Sequence, residues 1–418
     1  MLKIRINNGG IPLKGKICMS GAKNAALPLM VASLLTDKPL VLDNIPKLAD
    51  VKTMSDLLCM LGVSIDCSGK KMTLTAKKIC STTAPYELVK RMRASVLVLG
   101  PMLARTGQAR VSLPGGCAIG VRPINLHIKG LQALGADIEL KDGYVVASVP
   151  KGLKGGEVSF SIPTVTGTEN IMMAATLAKG VTTIINAACE PEVSDLAECL
   201  NGMGAKISEH GTPKIAIEGV DKLQGTEHRI IYDRIEVGTY AIAAAITDGE
   251  IELIGDGLGE LMSGATSVFE QAGIRIKSAA SGLLVSAQDL KPVNVATEPF
   301  PGFPTDLQAQ LMAIMCVTSG TSVITENIWE NRFLHVPELC RMGADITLKG
   351  SSAIVRGVKS LQGAPVMATD LRASFGLVLA GLAAKGTTVI DRIYHLVRGY
   401  ENAVEKLQAC GADIEEIL

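Results

Sequence analysis

Leu134-Gly135-Ala136-Asp137-Ile138 is the stretch that decides the fold, because five more copies of its pattern follow or precede it. They are Leu61-Gly62-Val63-Ser64-Ile65, Met203-Gly204-Ala205-Lys206-Ile207, Ala272-Gly273-Ile274-Arg275-Ile276, Met342-Gly343-Ala344-Asp345-Ile346 and Cys410-Gly411-Ala412-Asp413-Ile414. Neighbouring glycines lie 68 to 73 residues apart. An apolar residue, Gly, a small or apolar residue, any residue and Ile is how a helix ends and a strand begins. Self-similarity at a fixed period marks a chain built from repeated supersecondary units.

Midway between these glycines a second boundary recurs. Lys179-Gly180 precedes Val181–Ile185, Asp248-Gly249 precedes Glu250–Ile254, and Ser319-Gly320 and Lys385-Gly386 open the strands at 321–324 and 387–390. Gly107 and Asp37-Lys38-Pro39 stand at the same place in the first two units. Each unit therefore reads helix, strand, loop, helix, strand, turn, strand. The sixth stops after one hairpin strand, while an unpaired alternating strand, 2–6, begins the chain. We expect that strand to complete the sixth unit. The expected class is α/β, with three units per domain: 22–231 as domain one, and 1–21 plus 232–418 as domain two.

The 418 residues suit two domains of ordinary size. Lys+Arg and Asp+Glu balance at 41 each, and aromatic residues make up 3% of the chain. Neither a global field nor stacking platforms for nucleic acid or an anionic membrane are present. The stretch 307–325 is too interrupted by Gln, Ser, Thr and Gly to span a bilayer. Met1–Ile6 lacks a signal-peptide core, so a cytoplasmic location is expected. Ten cysteines without a CxxC pair then read as free thiols.

The six first helices begin with polar residues: Lys23-Asn24; Arg93; Thr168-Glu169-Asn170; Asp233-Arg234; Thr305-Asp306; and Asp370 with Arg372. Capping accounts for the Ser, Thr, Asp and Asn among them. It does not account for Lys23, Arg93 and Arg372, because cations at a helix start oppose its dipole and call for an anion beside them. Arg122, Arg332 and Arg398 come ahead of second helices, and a guanidinium fork suits carboxylate or phosphate. Each alone reads as a surface ion pair; together they point to a multiply anionic small substrate in a cleft between domains. Unit two also carries a loop of its own, Leu113-Pro114-Gly115-Gly116-Cys117-Ala118-Ile119-Gly120-Val121-Arg122-Pro123. Its cysteine beside an arginine reads as a reactive thiol rather than a buried hydrophobe. His127 lies ten residues on, and packing or capping is a better reading of it than a Cys–His dyad.

That loop, with Ser20-Gly21-Ala22-Lys23-Asn24-Ala25, Phe303-Pro304-Thr305-Asp306, Glu330-Asn331-Arg332-Phe333, Thr369-Asp370-Leu371-Arg372-Ala373-Ser374 and Arg398-Gly399-Tyr400-Glu401, resembles the UDP-N-acetylglucosamine enolpyruvyl transferases over essentially the whole chain. The resemblance implies an inside-out α/β barrel pair of six βαβαββ repeats. It implies enolpyruvyl transfer from phosphoenolpyruvate to the 3-hydroxyl of UDP-N-acetylglucosamine, by addition–elimination, with phosphate released. That is the first committed step of peptidoglycan synthesis, and so bears on cell shape and division.

On that resemblance Lys23, Arg122 and Arg398 neutralise the phosphate of phosphoenolpyruvate, Arg332 and Arg372 hold its carboxylate, and Asn24 positions the sugar. Asp306 is the general base, Cys117 the general acid and the target of fosfomycin-type epoxides, and Asp370 a relay. Arg93, Arg122, Pro123, Ile124, Asn125, Leu126, Thr164, Val165, Asp306 and Ile328 line the nucleotide-sugar site, with no metal and no cofactor. The chain departs from the family at Asn125 (usually Asp), at Thr166-Gly167 (usually Gly-Ala), at Tyr232 and Val237, and at Ala296. Two of those changes fall near the nucleotide end, whereas the residues for phosphoenolpyruvate are all present. The rival readings are a paralogue with another acceptor, shikimate-3-phosphate included, and a non-catalytic binding scaffold.

Overall fold

Glu157–Ser159 runs parallel to Val181–Ile185, which pairs antiparallel with Lys214–Glu218, and that strand closes a hairpin with Lys206–Ser208. One helix separates the first two strands and a second precedes the hairpin, so the third repeat reads βαβαββ. In Val181–Ile185 burial alternates, with Thr182 and Ile184 inward, as a strand with one covered face requires. The computed structural model, described over residues 2–113 and 124–417, contains six four-stranded sheets, all with this strand order. The expected α/β class and repeat count agree with that architecture.

The expected completion of the last repeat is also seen. Lys3–Asn8 lies between Thr388–Asp391 and Asp413–Ile417, antiparallel to both, with Ile4 opposite Ile390 and Glu416. One feature was not anticipated. Lys14–Cys18 directly precedes the helix of repeat one, yet it pairs in parallel with Glu250–Ile254 of repeat four. Thr226–Arg229 precedes the helix of repeat four and pairs with Leu40–Asp43 of repeat one. Repeats one and four have exchanged their leading strands.

The described residues divide into two compact units. One, the continuous unit, spans 21–113 and 124–231; the other, the split unit, comprises 2–20 and 232–417. Six first helices form the cores: α1 (Lys23–Ala32), α2 (Leu99–Thr106), α3 (Val165–Ala175), α4 (Arg234–Ile246), α5 (Gln308–Met315) and α6 (Leu371–Ala383). Arg93–Val98 and Thr305–Leu307 are 3-10 turns leading into α2 and α5. From Arg372 to Leu382 every residue of α6 is buried. A helix apolar all round belongs inside a core, and the sheets cover it. In the split unit α4, α5 and α6 pack against one another. Phe375 joins them edge-on to Tyr240 at 5.5 Å and tilted against Tyr400 at 4.5 Å. Each such buried side chain contributes roughly 1.5–3 kcal/mol. Among the described residues no helix is long and apolar enough to cross a membrane.

Candidate active site

In the split unit the starts of α5 and α6 hold the polar machinery. Asp306 sits in the 3-10 turn ahead of α5, and each of its carboxylate oxygens accepts from a guanidinium. Arg332 Nη2 donates to Oδ1 at 2.9 Å, and Arg372 Nε donates to Oδ2 at 3.0 Å. Both arginines are 3% exposed. Burial works most strongly against the Arg372 charge, but Asp306, Tyr400 and Asp233 together outweigh it and hold its pKa above the usual arginine value. The anion expected beside Arg372 is thus a carboxylate of the protein itself.

Asp370 is the N-cap of α6. Its Oδ1 accepts from the backbone N–H of Arg372 (2.9 Å) and Ala373 (3.0 Å), which accounts for this residue type without a proton relay. Asp233 caps α4 in the same way. Arg398 ends the 3-10 turn Ile393–Arg398. Ile328 is fixed by Glu326, whose Oε1 accepts from the amides of Ile328 and Trp329 at 2.9 and 3.1 Å. The other oxygen of Glu326 accepts from Thr305 Oγ1 at 2.9 Å, so one buried carboxylate orders both the Ile328 loop and the residue beside Asp306.

A second circuit lies beneath the arginines. Gln310 Nε2 donates to the Asp306 carbonyl (3.0 Å) and to Tyr400 Oη (2.9 Å), with Thr239 Oγ1 a further 3.2 Å away. Thr239 donates to the Ile235 carbonyl at 2.6 Å, so the 3.1 Å contact between Thr239 and Tyr400 must use the tyrosine proton. The Arg372 guanidinium lies 5.4 Å from the centre of the Tyr400 ring. Repeats four, five and six therefore meet through one buried hydroxyl. Thr239, Gln310 and Glu326 were not candidates because nothing separates them in sequence from ordinary core-helix or loop residues, and Tyr400 stood in the motif 398–401 without a role of its own.

In the continuous unit Lys23 opens α1, and its Nζ lies 3.5 Å from Asp50 Oδ2, again an internal anion where a ligand was expected. Asn24 follows it, half-buried. Arg93 opens the 3-10 turn before α2, and Thr164 is the N-cap of α3, accepting from Gly167 N at 3.3 Å, with Val165 the first helical residue. Asn125 is exposed at the start of the helix Asn125–Ala133, between buried Ile124 and half-buried Leu126. Cys117, Arg122 and Pro123 lie outside the described residues.

His127 is buried on that helix. Asn170 Oδ1 accepts from Gly100 N (2.7 Å) and its Nδ2 donates to the Val96 carbonyl (3.1 Å), which fixes the amide orientation. The same Nδ2 meets His127 Nδ1 at 3.0 Å, so Nδ1 is the acceptor and Nε2 carries the proton, facing Thr166 Oγ1 at 3.2 Å. Burial, with Arg93 adding to it, pulls this imidazole down to about 3. Its lone pair is already used by Asn170, so it is a packed histidine and not the base of a Cys–His dyad. Glu169 on α3 is the opposite case. Burial and then Glu192 and Glu190 push its carboxyl well above the usual range.

A cavity of about 530 Å³ in the split unit lies elsewhere, at the C-terminal ends of α4 and α6, lined by residues such as Ala245, Asp248, Lys359 and Lys385. It contains none of the candidate residues. Helix C-termini repel anions, so the helix starts remain the better site for an anionic substrate.

A sequence profile of the EPSP synthase (3-phosphoshikimate 1-carboxyvinyltransferase) family matches residues 7–407. The UDP-N-acetylglucosamine 1-carboxyvinyltransferase of Rhodospirillum centenum is 60% identical over 436 residues, spanning 100% of this chain and 99% of the relative. This chain belongs to the UDP-N-acetylglucosamine 1-carboxyvinyltransferase family. A second member of that family, from Acidiphilium cryptum, is 57% identical with both chains covered in full. Among solved structures, the enolpyruvyl transferase NikO from Streptomyces tendae superposes with a TM-score of 0.89 at 23% identity, covering 99% of this chain and 98% of its own. EPSP synthase from Acinetobacter baumannii gives 0.77 at 19% identity, with both chains fully covered. At those identities the two structures speak for the fold alone, and the membership rests on the UDP-N-acetylglucosamine 1-carboxyvinyltransferase sequences.

Proposed function

We propose that this chain transfers the enolpyruvyl group of phosphoenolpyruvate to the 3-hydroxyl of UDP-N-acetylglucosamine and releases phosphate. The observation that carries the reading is end-to-end identity of 56–60% with UDP-N-acetylglucosamine 1-carboxyvinyltransferases. In this reading Arg332 and Arg372 take the substrate carboxylate, and Lys23, Arg122 and Arg398 its phosphate. Fixed cations around a transferring group stabilise the charge that develops there. Asp306 takes the proton of the 3-hydroxyl as its oxygen attacks C2 of phosphoenolpyruvate, while Cys117 protonates C3. Loss of a proton from C3 of the tetrahedral ketal and departure of phosphate then give the product. Asn24 orients the sugar, and Arg93, Ile124, Asn125, Leu126, Thr164, Val165 and Ile328 serve the nucleotide sugar together with Arg122 and Pro123. Asp370 could relay a proton only through Oδ2, since Oδ1 is committed to its cap. The reading further puts the chain in the cytoplasm, at the entry to peptidoglycan synthesis, with domains 22–231 and 1–21 plus 232–418.

Phosphate release from phosphoenolpyruvate tests it, first with UDP-N-acetylglucosamine and then with shikimate-3-phosphate. Release with the nucleotide sugar alone is expected; none with it sinks the reading. The cysteine is tested separately. A fosfomycin-type epoxide should alkylate Cys117 and inactivate the enzyme, and Cys117→Asp should resist it.

A further inference from the structure

Asp306 occupies the place that the reading above gives to the substrate carboxylate. Its Oδ1 accepts from Arg332 Nη2 at 2.9 Å, and its Oδ2 lies 3.0 Å from both Nε and Nη2 of Arg372. The arginine side chains are 4% exposed, whereas that of Asp306 is 26% exposed. Two guanidiniums so deeply buried need an anion at all times, because an unpaired buried charge costs far more than a paired one. The carboxylate, the most exposed of the trio, is the member that can turn towards solvent. The backbone of Asp306 is held in its 3-10 turn by Gln310 Nε2 on the carbonyl at 3.0 Å, so a turn of the side chain needs no movement of the chain.

We infer that Asp306 is an internal stand-in for the substrate's carboxylate: phosphoenolpyruvate displaces it from Arg332 and Arg372, and only then are its two oxygens free to accept the proton of the acceptor hydroxyl. One carboxylate replaces another, so the charge and the guanidinium hydrogen bonds are conserved across the exchange. The inference rests on the proposed function and adds a condition to it. Base activation becomes contingent on a carboxylate having entered the fork, so an acceptor bound without phosphoenolpyruvate meets a base still tied to its arginines. A tethered competitor also lowers the affinity for a free carboxylate, since binding draws on only the fraction of molecules with the fork vacated.

Titration calorimetry of the full chain with phosphoenolpyruvate, without acceptor, tests this on the native protein, Asp306→Asn and Asp306→Ala. Removing the internal competitor should tighten phosphoenolpyruvate binding by about tenfold or more, with Asp306→Ala at least equal to Asp306→Asn. Inorganic phosphate is the control, and its affinity should change by less than about twofold, because it has no carboxylate to enter the fork. Unchanged or weaker phosphoenolpyruvate binding in both variants overturns the inference. So does an equal gain for inorganic phosphate, which would mean general loss of negative charge. Should leaving two guanidiniums unpaired make a variant partly unfolded, its melting temperature with and without phosphoenolpyruvate takes over. A larger upward shift than in the native protein supports the exchange, and an equal or smaller one overturns it. A native protein that neither binds phosphoenolpyruvate nor releases phosphate from it would remove the underlying reading as well.

Discussion

Tyr400 shows how the Asp306 turn is held by hydrogen bonds from within the core. Its hydroxyl receives Gln310 and gives to Thr239, while Gln310 also holds the Asp306 carbonyl. Tyr400→Phe removes two hydrogen bonds but leaves Gln310 Nε2 able to donate to Thr239 Oγ1 at 3.2 Å as well as to the Asp306 carbonyl. Urea unfolding should show a loss of about 0.5–1.5 kcal/mol. Turnover should fall with little change in the KM for UDP-N-acetylglucosamine, because the Asp306 turn loosens while the nucleotide contacts stay. The buried histidines make a separate prediction about pH. His127 is pulled down to about 3 and His335 to about 4, each by burial first; Asp370 opposes that shift at His335 and Arg332 adds to it. Below the unperturbed value of 6.5 the unfolded chain binds these protons and the folded one does not, so stability present at neutral pH is lost as pH falls from 6.5 towards 3–4. Each contributes a slope of about 1.4 kcal/mol per pH unit in that window. His127→Gln should remove one such slope from urea midpoints measured at pH 7, 5.5 and 4.5. Residue types were legible in the sequence, and the polar helix starts singled out Lys23, Asp306 and Arg372 as candidates. Their pairings were not, because Asp306, Arg332 and Arg372 lie on separate segments that only the packed core brings together.

The repeated glycines act at the level of the element. All six have positive φ, from 83° at Gly273 to 109° at Gly62, in the left-handed conformation that turns a helix into the next strand. At Gly343 a Cβ would meet nothing within 4 Å, so only the backbone objects to a side chain there. Gly343→Ala should therefore cost roughly 1–2 kcal/mol, the penalty for an L-residue in that region. At Gly273 a Cβ would also lie 2.6 Å from the Asp289 carbonyl, so Gly273→Ala should cost more. Thermal melts of the two variants side by side check the order. Helix ends and hairpins were legible because glycine and β-branched residues act locally. The 3-10 turns leading into α2 and α5 were not, since packing of their neighbours selects them over a regular helical turn.

Over the whole molecule, the repeat count and the return of the first strand to the last sheet followed from the spacing of the glycines. The exchange of leading strands between repeats one and four did not, because Lys14–Cys18 and Thr226–Arg229 are both ordinary short strands and nothing local says which partner each will take. The first strand offers a direct test. Lys3 lies opposite Ile417 in an antiparallel pair, so joining residue 418 to residue 1 would close a hairpin through a three-residue loop. A circular permutant closed there and opened between Gly10 and Ile11 should fold and retain phosphate release. Deleting residues 1–9 without closing the ends should abolish cooperative unfolding, since it removes an inner strand of the sixth sheet. The split unit also sets an order of events on the ribosome. Ile4 must wait for Ile390 and Glu416, and Lys14–Cys18 for Glu250–Ile254, whereas the sheets of the continuous unit are all made by Arg229. The continuous unit can close while the rest is still being translated. Lys14–Cys18 meanwhile stays a bare strand until Glu250–Ile254 is made, and Lys3–Asn8 until 388–391 and 413–417 follow, exposed to chaperones and to mispairing.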